Sequence, residues 1–159
     1  MTRAVRLELN GVEVAAVAEG GESLLSLLRH RLGDTSPKAG CLQGTCGACT
    51  VLVDGEPVLS CLMLAEAAEG KRVTTVRGLA DGPRLHPLQE AFMDGFAAQC
   101  GFCTPGVLMA AKALLDREPR PTREQVIEAI AGNICRCTGY TPIVEAILEA
   151  ARRMSGRRG

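Results

Sequence analysis

Apolar and polar positions alternate at the start of the chain, in the pattern of half-buried β-strands. Val5, Leu7 and Leu9 alternate with charged residues, and Asn10-Gly11 then leads into a second alternating run at 12–14. Asn-Gly between two such runs is typical of a two-residue hairpin turn. The chain is therefore predicted to open with a β-hairpin.

A second hairpin is predicted further along the first half. Asp54-Gly55 lies between strand-like segments at 50–53 and 58–60, and residues 72–76 could supply one more strand. Asp-Gly is the other dipeptide that commonly forms tight hairpin turns. With the first hairpin, these segments predict a small mixed sheet.

Residues 22–32 have a different period, with Leu25, Leu28 and Leu32 on one face of a helix. Gly33 follows directly and is placed as a helix C-terminal stop. The segment from residue 34 to residue 49 is rich in glycine, which is typical of a loop. We expect one amphipathic helix followed by a long loop.

The second half is predicted to be helical, after a turn-rich connector between residues 77 and 83. Apolar residues recur there at helical spacing in four successive runs. These are Leu88, Phe92 and Phe96; Val107, Ala111 and Leu114; Val126 and Ile130; and Ile143, Ile147 and Ala151. We expect two domains, at residues 1–78 and 84–154.

The predicted helices carry recognisable start signals. Thr104-Pro105 and Thr141-Pro142 each place a capping residue before a first-turn proline, and Thr122 with Gln125 matches a capping box. The tail from Met154 to Gly159 has the composition of a frayed, solvated end. These signals mark the starts of three of the four predicted helices.

Composition narrows the class of protein. Hydrophobic residues make up 47% and charged residues 23% of the 159 residues, the balance of a globular protein. Equal numbers of basic and acidic residues give zero net charge, so no basic field is present to bind nucleic acid. The chain shows neither a signal peptide nor an apolar run long enough to span a bilayer. We expect a cytoplasmic location without membrane contact, although export together with a partner stays open.

The first of two cysteine sets has the spacing CxxxxCxxC, formed by Cys41, Cys46 and Cys49, with Cys61 following after the second hairpin. This is the spacing of plant-type [2Fe-2S] proteins, in which one loop wraps the cluster. Structural zinc sites usually pair their cysteines as CxxC knuckles, and eight cysteines without a secretory signal are unlike a disulfide framework. The first set therefore predicts a [2Fe-2S] cluster.

The second set consists of a CxxC at Cys100 and Cys103 and a CxC at Cys135 and Cys137. Each pair lies between two predicted helices, and a four-helix arrangement can bring both loops to one end. A zinc site, a redox dithiol and an iron-sulfur cluster all remain open for this set taken alone.

The two histidines do not have ligand spacing to any cysteine. His30 lies in the first predicted helix among charged residues, and His86 lies directly before a helix start at Pro87. We interpret them as solvated or capping residues, which argues against a Rieske-type centre.

Four segments of the chain form a recognisable combination of motifs. They are GCLQGTCGACTVLVDG (Gly40 to Gly55), HPLQEAF (His86 to Phe92), QCGFCTPG (Gln99 to Gly106) and GNICRCTGY (Gly132 to Tyr140). Together they closely resemble the iron-sulfur subunit of the molybdenum hydroxylases, the family of xanthine dehydrogenases, aldehyde oxidoreductases and aerobic carbon monoxide dehydrogenases. The resemblance covers nearly the whole chain and includes all eight cysteines.

The resemblance implies an α+β protein with an N-terminal ferredoxin-like β-grasp domain and a C-terminal four-helix domain, each binding one [2Fe-2S] cluster. It also implies that Gln99 and Cys137 lie against a molybdopterin cofactor in a partner chain. By position, the implied ligands are Cys41, Cys46, Cys49 and Cys61 for the first cluster and Cys100, Cys103, Cys135 and Cys137 for the second.

The function implied is electron transfer from a molybdopterin centre in a large subunit towards an FAD-binding subunit or an external acceptor. The chain itself shows no nucleotide-binding fingerprint and no substrate site, so substrate and flavin chemistry would belong to partner chains. Two alternatives are a free-standing ferredoxin and a zinc-stabilised interaction module. The ferredoxin alternative leaves the helical half without a purpose.

Overall fold

Two hairpins and one further strand form a five-stranded sheet in the computed structural model of the chain, which describes residues 1–156. The strand order is β2-β1-β5-β3-β4, with β1 and β5 parallel and the other neighbours antiparallel. The strands are β1 (Thr2–Leu9), β2 (Val12–Glu19), β3 (Thr50–Val53), β4 (Glu56–Leu59) and β5 (Arg72–Thr74).

The two predicted hairpin turns are confirmed. Asn10 and Gly11 have φ values of 52° and 83°, and Asp54 and Gly55 have φ values of 52° and 87°. Positive φ at both central residues is the requirement of a type I′ turn, whose twist matches that of the flanking strands. The turn dipeptides therefore set the register of both strand pairs.

The predicted first helix is present but shorter, and its second half is wound more widely. It comprises α1 (Leu24–Ser26) and a π-helical turn at Leu27–Arg31. Leu25 and Leu28 are both buried, Leu28 in the core beneath the sheet, and Gly33 has a φ of 71°, as a helix-ending glycine does.

Four helices follow, as predicted: α2 (Pro87–Asp94), α3 (Thr104–Arg117), α4 (Arg123–Ala129) and α5 (Thr141–Gly156). The capping box at Thr122 and Gln125 is confirmed by two reciprocal hydrogen bonds. The α+β class is confirmed as well. In the part of the chain that the structure describes, the longest helices fall short of what a bilayer crossing needs.

Two details of the helical prediction are wrong. Phe96 does not share a helix face with Leu88, because α2 ends at Asp94 and Gly95 caps it, leaving Phe96 exposed with a φ of 50°. Thr104 is not the N-cap of α3, because Cys103 occupies that position and Thr104 is the first helical residue. The same correction applies to Thr141, which is the first residue of α5.

The tail is also more ordered than predicted. Helix α5 continues through Met154 to Gly156, where Met154 packs against the helical core. The remainder of the predicted frayed end, residues 157–159, lies outside the described residues.

Strand β3 connects the two halves, because both of its faces are covered. Val51 and Val53 pack in the core beneath the sheet with Leu24 and Leu28, whereas Leu52 packs in the core of the helical half. Side chains alternate across a strand, so a strand covered on both faces is apolar at every position. This explains the uninterrupted apolar run Val51 to Val53.

Helix α3 approaches the cysteine loop before β3 so closely that a side chain is excluded at Gly106. A Cβ at Gly106 would overlap the carbonyl oxygen of Gly47 and lie 3.1 Å from the Cα of Ala48. Backbone atoms cannot turn aside as a flexible side chain can. The helical half and the loop are therefore in backbone contact.

Gly106→Ala should destabilise the protein, although alanine normally stabilises a helix interior by about 0.5–1 kcal/mol relative to glycine. The overlap with Gly47 outweighs that gain, and we expect a net loss of about 1–3 kcal/mol, as for other overpacked sites. Gly156→Ala is the matched control, because nothing lies within 4 Å of a Cβ at that helical glycine. Chemical denaturation measures both, and equal stability of the two variants would contradict the contact.

Candidate metal centres

The first cysteine set occupies one end of the sheet. Cys41, Cys46 and Cys49 lie in the loop between the first helical segment and β3, and Cys61 lies in the turn after β4. Cys49 is buried and the other three are partly buried. The hairpin β3–β4 thus returns the fourth cysteine to the loop that holds the other three.

The Cys41 thiol is surrounded by backbone donors. The N–H groups of Gln43, Thr45 and Cys46 point at its Sγ, at donor–acceptor distances of 3.5, 3.3 and 3.4 Å. A hydrogen bond from the Thr45 side chain and these backbone N–H groups lower the pKa of Cys41 to about 5. The loop is therefore built to stabilise a thiolate, the form in which cysteine binds metals.

Glycines leave room for this wrapping. A Cβ at Gly40 would lie 2.8 Å from Cys46 Sγ, and a Cβ at Gly44, whose φ is 82°, would overlap the Leu62 side chain. A larger residue at Gly40 would therefore press on the Cys46 sulfur, and one at Gly44 would be strained by the positive φ.

Cys49 and Cys61 form a close thiol pair. Burial and the neighbouring Cys49 thiol raise the pKa of Cys61 to about 11. Such a crowded pair keeps its protons unless a positive charge lies between the sulfurs, and a coordinated metal supplies that charge. The first set thus combines one stabilised thiolate with a pair that favours metal.

The second cysteine set lies around the start of α3 and the loop between α4 and α5. Cys103 and Cys135 are buried, whereas Cys100 and Cys137 are exposed. Cys103 is the N-cap of α3, and the N-terminus of a helix stabilises negative charge. The set therefore has a buried pair and an open side.

The buried pair is again close. Burial, followed by the neighbouring Cys135 thiol, raises the pKa of Cys103 to about 12. Burial also acts to raise the pKa of Cys135, but hydrogen bonds from the side chain and backbone of Thr138 outweigh it and lower that pKa. The Thr138 hydroxyl lies 3.2 Å from Cys135 Sγ.

Tyr140 fixes the loop that carries Cys135. The Cys135 N–H donates to the Tyr140 hydroxyl at 2.9 Å, and the same hydroxyl donates to the Asn133 carbonyl at 3.3 Å. The Thr138 hydroxyl accepts from the Tyr140 N–H at 3.1 Å. These bonds hold the short CxC segment in one conformation.

The hydroxyl of Thr104, the residue that directly follows Cys103 in the chain, tests whether the second set fits a cluster. It is buried and has no hydrogen-bond partner among the described residues. Buried polar groups normally have partners. A cluster with sulfur acceptors held at the start of α3 would provide one.

Each of the two cysteine sets contains one close pair of thiols. Within residues 1–156, no three His, Cys, Asp or Glu side chains converge as one metal ion would require. A [2Fe-2S] cluster divides four thiolates between two irons, so the one close pair in each set, Cys49 with Cys61 and Cys103 with Cys135, suits one iron of such a cluster. The donors present fit such a cluster at each set.

The two cysteine loops touch each other directly. The Ile134 N–H donates to the Cys46 carbonyl at 2.9 Å, and the Asn133 Nδ2 donates to the Gly47 carbonyl at 2.9 Å. A Cβ at Gly47 would overlap the Gly132 carbonyl oxygen. The CxxC segment of the first set is thus in backbone contact with the residues just before Cys135.

Sequence reasoning did not assign roles to the residues that join the loops. Asn133 and Tyr140 were quoted only as parts of a motif, and Thr138 was not singled out. The one sequence signal for such a role is the presence of an asparagine, Asn133, in a cysteine-rich loop. Its side chain is buried in the structure.

The remaining predicted residues lie as follows. His86 caps α2, its Nδ1 accepting from the Leu88 N–H at 3.2 Å, and His30 is exposed in the π-helical turn. Gln99 is exposed in the bend before Cys100, five residues after the end of α2. Helix α2 therefore ends too early for Gln99 to cap it.

Two family models cover most of the chain. Residues 7–80 match a 2Fe-2S iron-sulfur cluster binding domain, and residues 75–148 match a [2Fe-2S] binding domain. The two matches meet in the predicted connector.

Similar proteins include small and iron-sulfur-binding subunits of hydroxylases and dehydrogenases. The chain is 48% identical over 155 residues to the nicotine 6-hydroxylase small subunit of Paenarthrobacter nicotinovorans, covering 98% of this chain and 93% of that protein. It is 45% identical to the xanthine dehydrogenase iron-sulfur-binding subunit of Escherichia coli O157:H7, covering 95% and 96%. The crystal structure of quinoline 2-oxidoreductase from Pseudomonas putida 86 contains a chain with a TM-score of 0.94 and 44% identity, with 99% and 98% covered.

One relative is much longer. The aldehyde oxidoreductase of Megalodesulfovibrio gigas is 41% identical over 155 residues, a match that covers 96% of this chain and 17% of that protein. Motifs, fold and relatives agree over nearly the whole length, and the chain therefore belongs to the iron-sulfur subunits of the molybdenum hydroxylase, or xanthine dehydrogenase, family.

Proposed function

We propose that this chain carries electrons between two [2Fe-2S] clusters within a larger molybdenum-containing oxidoreductase, from a molybdopterin centre towards an FAD-binding chain or an external acceptor. The observation that carries this proposal is the direct contact between the two cysteine loops. The Ile134 N–H donates a hydrogen bond directly to the Cys46 carbonyl, so the two loops are joined there without any intervening residue.

The ligands we propose are the complete sets of four cysteines, and the division into domains is at residues 1–78 and 84–154. Supporting this assignment, all eight cysteines are free and lie in two groups, with a thiol pair in each. The first group is Cys41, Cys46, Cys49 and Cys61, and the second is Cys100, Cys103, Cys135 and Cys137.

When bound, each cluster would take up and release one electron without forming or breaking a bond to a substrate. The chain's own residues place and tune it. The backbone donors around Cys41 favour the negative charge of that thiolate, and Thr138 does the same for Cys135. Hydrogen bonds to ligand sulfurs are among the factors that set cluster potentials.

Both sets border exposed apolar surface that suits partner chains. Leu42 and Leu62, which follow ligands of the first set, are 63% and 61% exposed, and Phe102 and Ile134 of the second set are 48% and 55% exposed. Large exposed apolar residues grouped in this way commonly mark interaction sites. The long aldehyde oxidoreductase relative supports association with a larger polypeptide.

Gln99 and Cys137 are the residues that we propose to face the molybdopterin. Both are exposed and border the second set. The Gln99 side chain makes no hydrogen bond within residues 1–156, so its amide is free to donate and accept, as a pterin edge requires.

The two alternatives are less well supported. A free-standing ferredoxin has no use for the helical half, which here contributes the second loop and packs against β3. A zinc-stabilised module disagrees with the two matching family models, both of which describe [2Fe-2S] binding.

The purified protein should contain iron and acid-labile sulfide in equal amounts, equivalent to two [2Fe-2S] clusters per chain. The reason is that two complete four-cysteine sets are present with no cysteine left over. Metal analysis and sulfide determination measure this. Stoichiometric zinc without sulfide would contradict the proposal.

Cys46→Ser should remove one of the two paramagnetic signals of the reduced protein and leave the other. Cys103→Ser is the matched variant and should remove the second signal alone, because the proposed ligand sets share no residue. Electron paramagnetic resonance at low temperature measures both. Loss of both signals from either variant in a folded protein would show that the ligand sets are assigned wrongly.

Gln99→Ala should leave the fold and both clusters unchanged, because the side chain is exposed and makes no hydrogen bond within residues 1–156. In the assembled enzyme it should slow substrate-driven reduction of the clusters or weaken retention of the molybdopterin. Cofactor analysis and stopped-flow spectroscopy check these outcomes. Unchanged molybdopterin content together with unchanged cluster reduction would exclude the pterin contact.

A further inference from the structure

We propose that Asn133 is a positioning residue whose side chain fixes the separation of the two cluster loops, and with it the passage of an electron between them. The inference rests on the proposed function, because it assumes a cluster at each loop. It assigns a role to a residue that binds neither cluster.

The Asn133 side chain bridges the two halves of the protein. The residue is 5% exposed, and its Nδ2 donates to the Gly47 carbonyl at 2.9 Å and lies 3.5 Å from the Thr50 hydroxyl oxygen. Because a carbonyl only accepts hydrogen bonds, the amide nitrogen and not its oxygen must face Gly47. The bond joins residues 86 positions apart in the chain.

The bond from Asn133 is not needed to satisfy the Gly47 carbonyl within the first loop. The Gly47 carbonyl already accepts from the Thr50 N–H at 3.1 Å and from the Thr50 hydroxyl at 2.7 Å. A carbonyl oxygen has two lone pairs, so donors from its own loop are sufficient to satisfy it. What the third donor adds is attachment to the other loop.

The attachment lies where the loops have least freedom. Gly47 is the residue after Cys46, and Asn133 lies two residues before Cys135. Backbone contact between Gly47 and Gly132 prevents a closer approach, and the Asn133 side chain, together with the Ile134 N–H bond to the Cys46 carbonyl, prevents a wider one. Together they set one distance between the two cysteine sets.

That distance governs the transfer step. One electron leaves one cluster and enters the other, so that the first is oxidised and the second is reduced by one electron, with no proton moved and no bond formed. A protein can control such a step through the distance between the two sites and through their potentials. Asn133 acts on the distance.

The test uses the full chain with both clusters reduced, and it measures the magnetic splitting that each cluster imposes on the other's signal. Asn133→Asp removes the donor at nearly constant volume and faces a carboxylate towards the Gly47 carbonyl. Asn133→Ala is the uncharged variant, because alanine removes the amide altogether. We expect both variants to keep both signals and to show a smaller mutual splitting.

Asn10→Asp is the matched control. Asn10 also joins distant segments, through hydrogen bonds of 3.0 and 2.8 Å with Thr75, but it contacts neither cysteine loop. We expect it to lower the melting temperature while leaving the mutual splitting unchanged. A general loss of stability is thereby separated from a loss of spacing.

The outcomes are distinct. Unchanged splitting in both Asn133 variants, or loss of a cluster from both, would overturn the positioning role, the latter because the residue would then serve folding alone. Absence of two interacting signals in the unsubstituted protein would instead contradict the proposed function.

Discussion

Close backbone contact at Gly47 is the constraint on which the rest of the structure depends. Its carbonyl oxygen lies against Gly106 of α3, and the space that a Cβ would occupy is taken by the Gly132 carbonyl. Three segments therefore meet at one residue between two proposed ligands, Cys46 and Cys49. No side chain intervenes at Gly47. For this reason the loop that leads into the sheet can lie directly against helix α3 and against the loop before Cys135.

This contact explains how a chain poor in aromatic residues joins two small cores. Aromatic residues make up only 3% of the chain, and the core beneath the sheet consists mainly of leucine, valine and alanine. The Leu52 side chain of strand β3 packs in the helical core, and the Asn133 side chain hydrogen-bonds the second cysteine loop to the first. The opposite pKa shifts of Cys41 and Cys61 fit the same scheme, because the loop stabilises one thiolate, while the crowded pair with Cys49 favours a bound metal.

Much of the fold follows from local sequence signals. Asn10-Gly11 and Asp54-Gly55 specify their turns through positive φ, and the Thr122 capping box specifies the start of α4, because these signals act over a few residues. The end of α2 was missed because Phe96 continues the apolar period beyond Gly95. The cysteine spacing indicated the cluster type, but the contacts of Asn133 and Tyr140 join residues through tertiary packing, which no local pattern encodes.

The central claim is that one chain holds two one-electron sites. Anaerobic reductive titration of the full chain loaded with its clusters tests it most directly, with uptake of electrons and paramagnetic signals followed together. The account predicts that each chain takes up one electron at each of two sites and develops two distinct signals. Uptake of a single electron per chain, or of an electron pair without any paramagnetic signal, as a dithiol–disulfide couple would show, would contradict it.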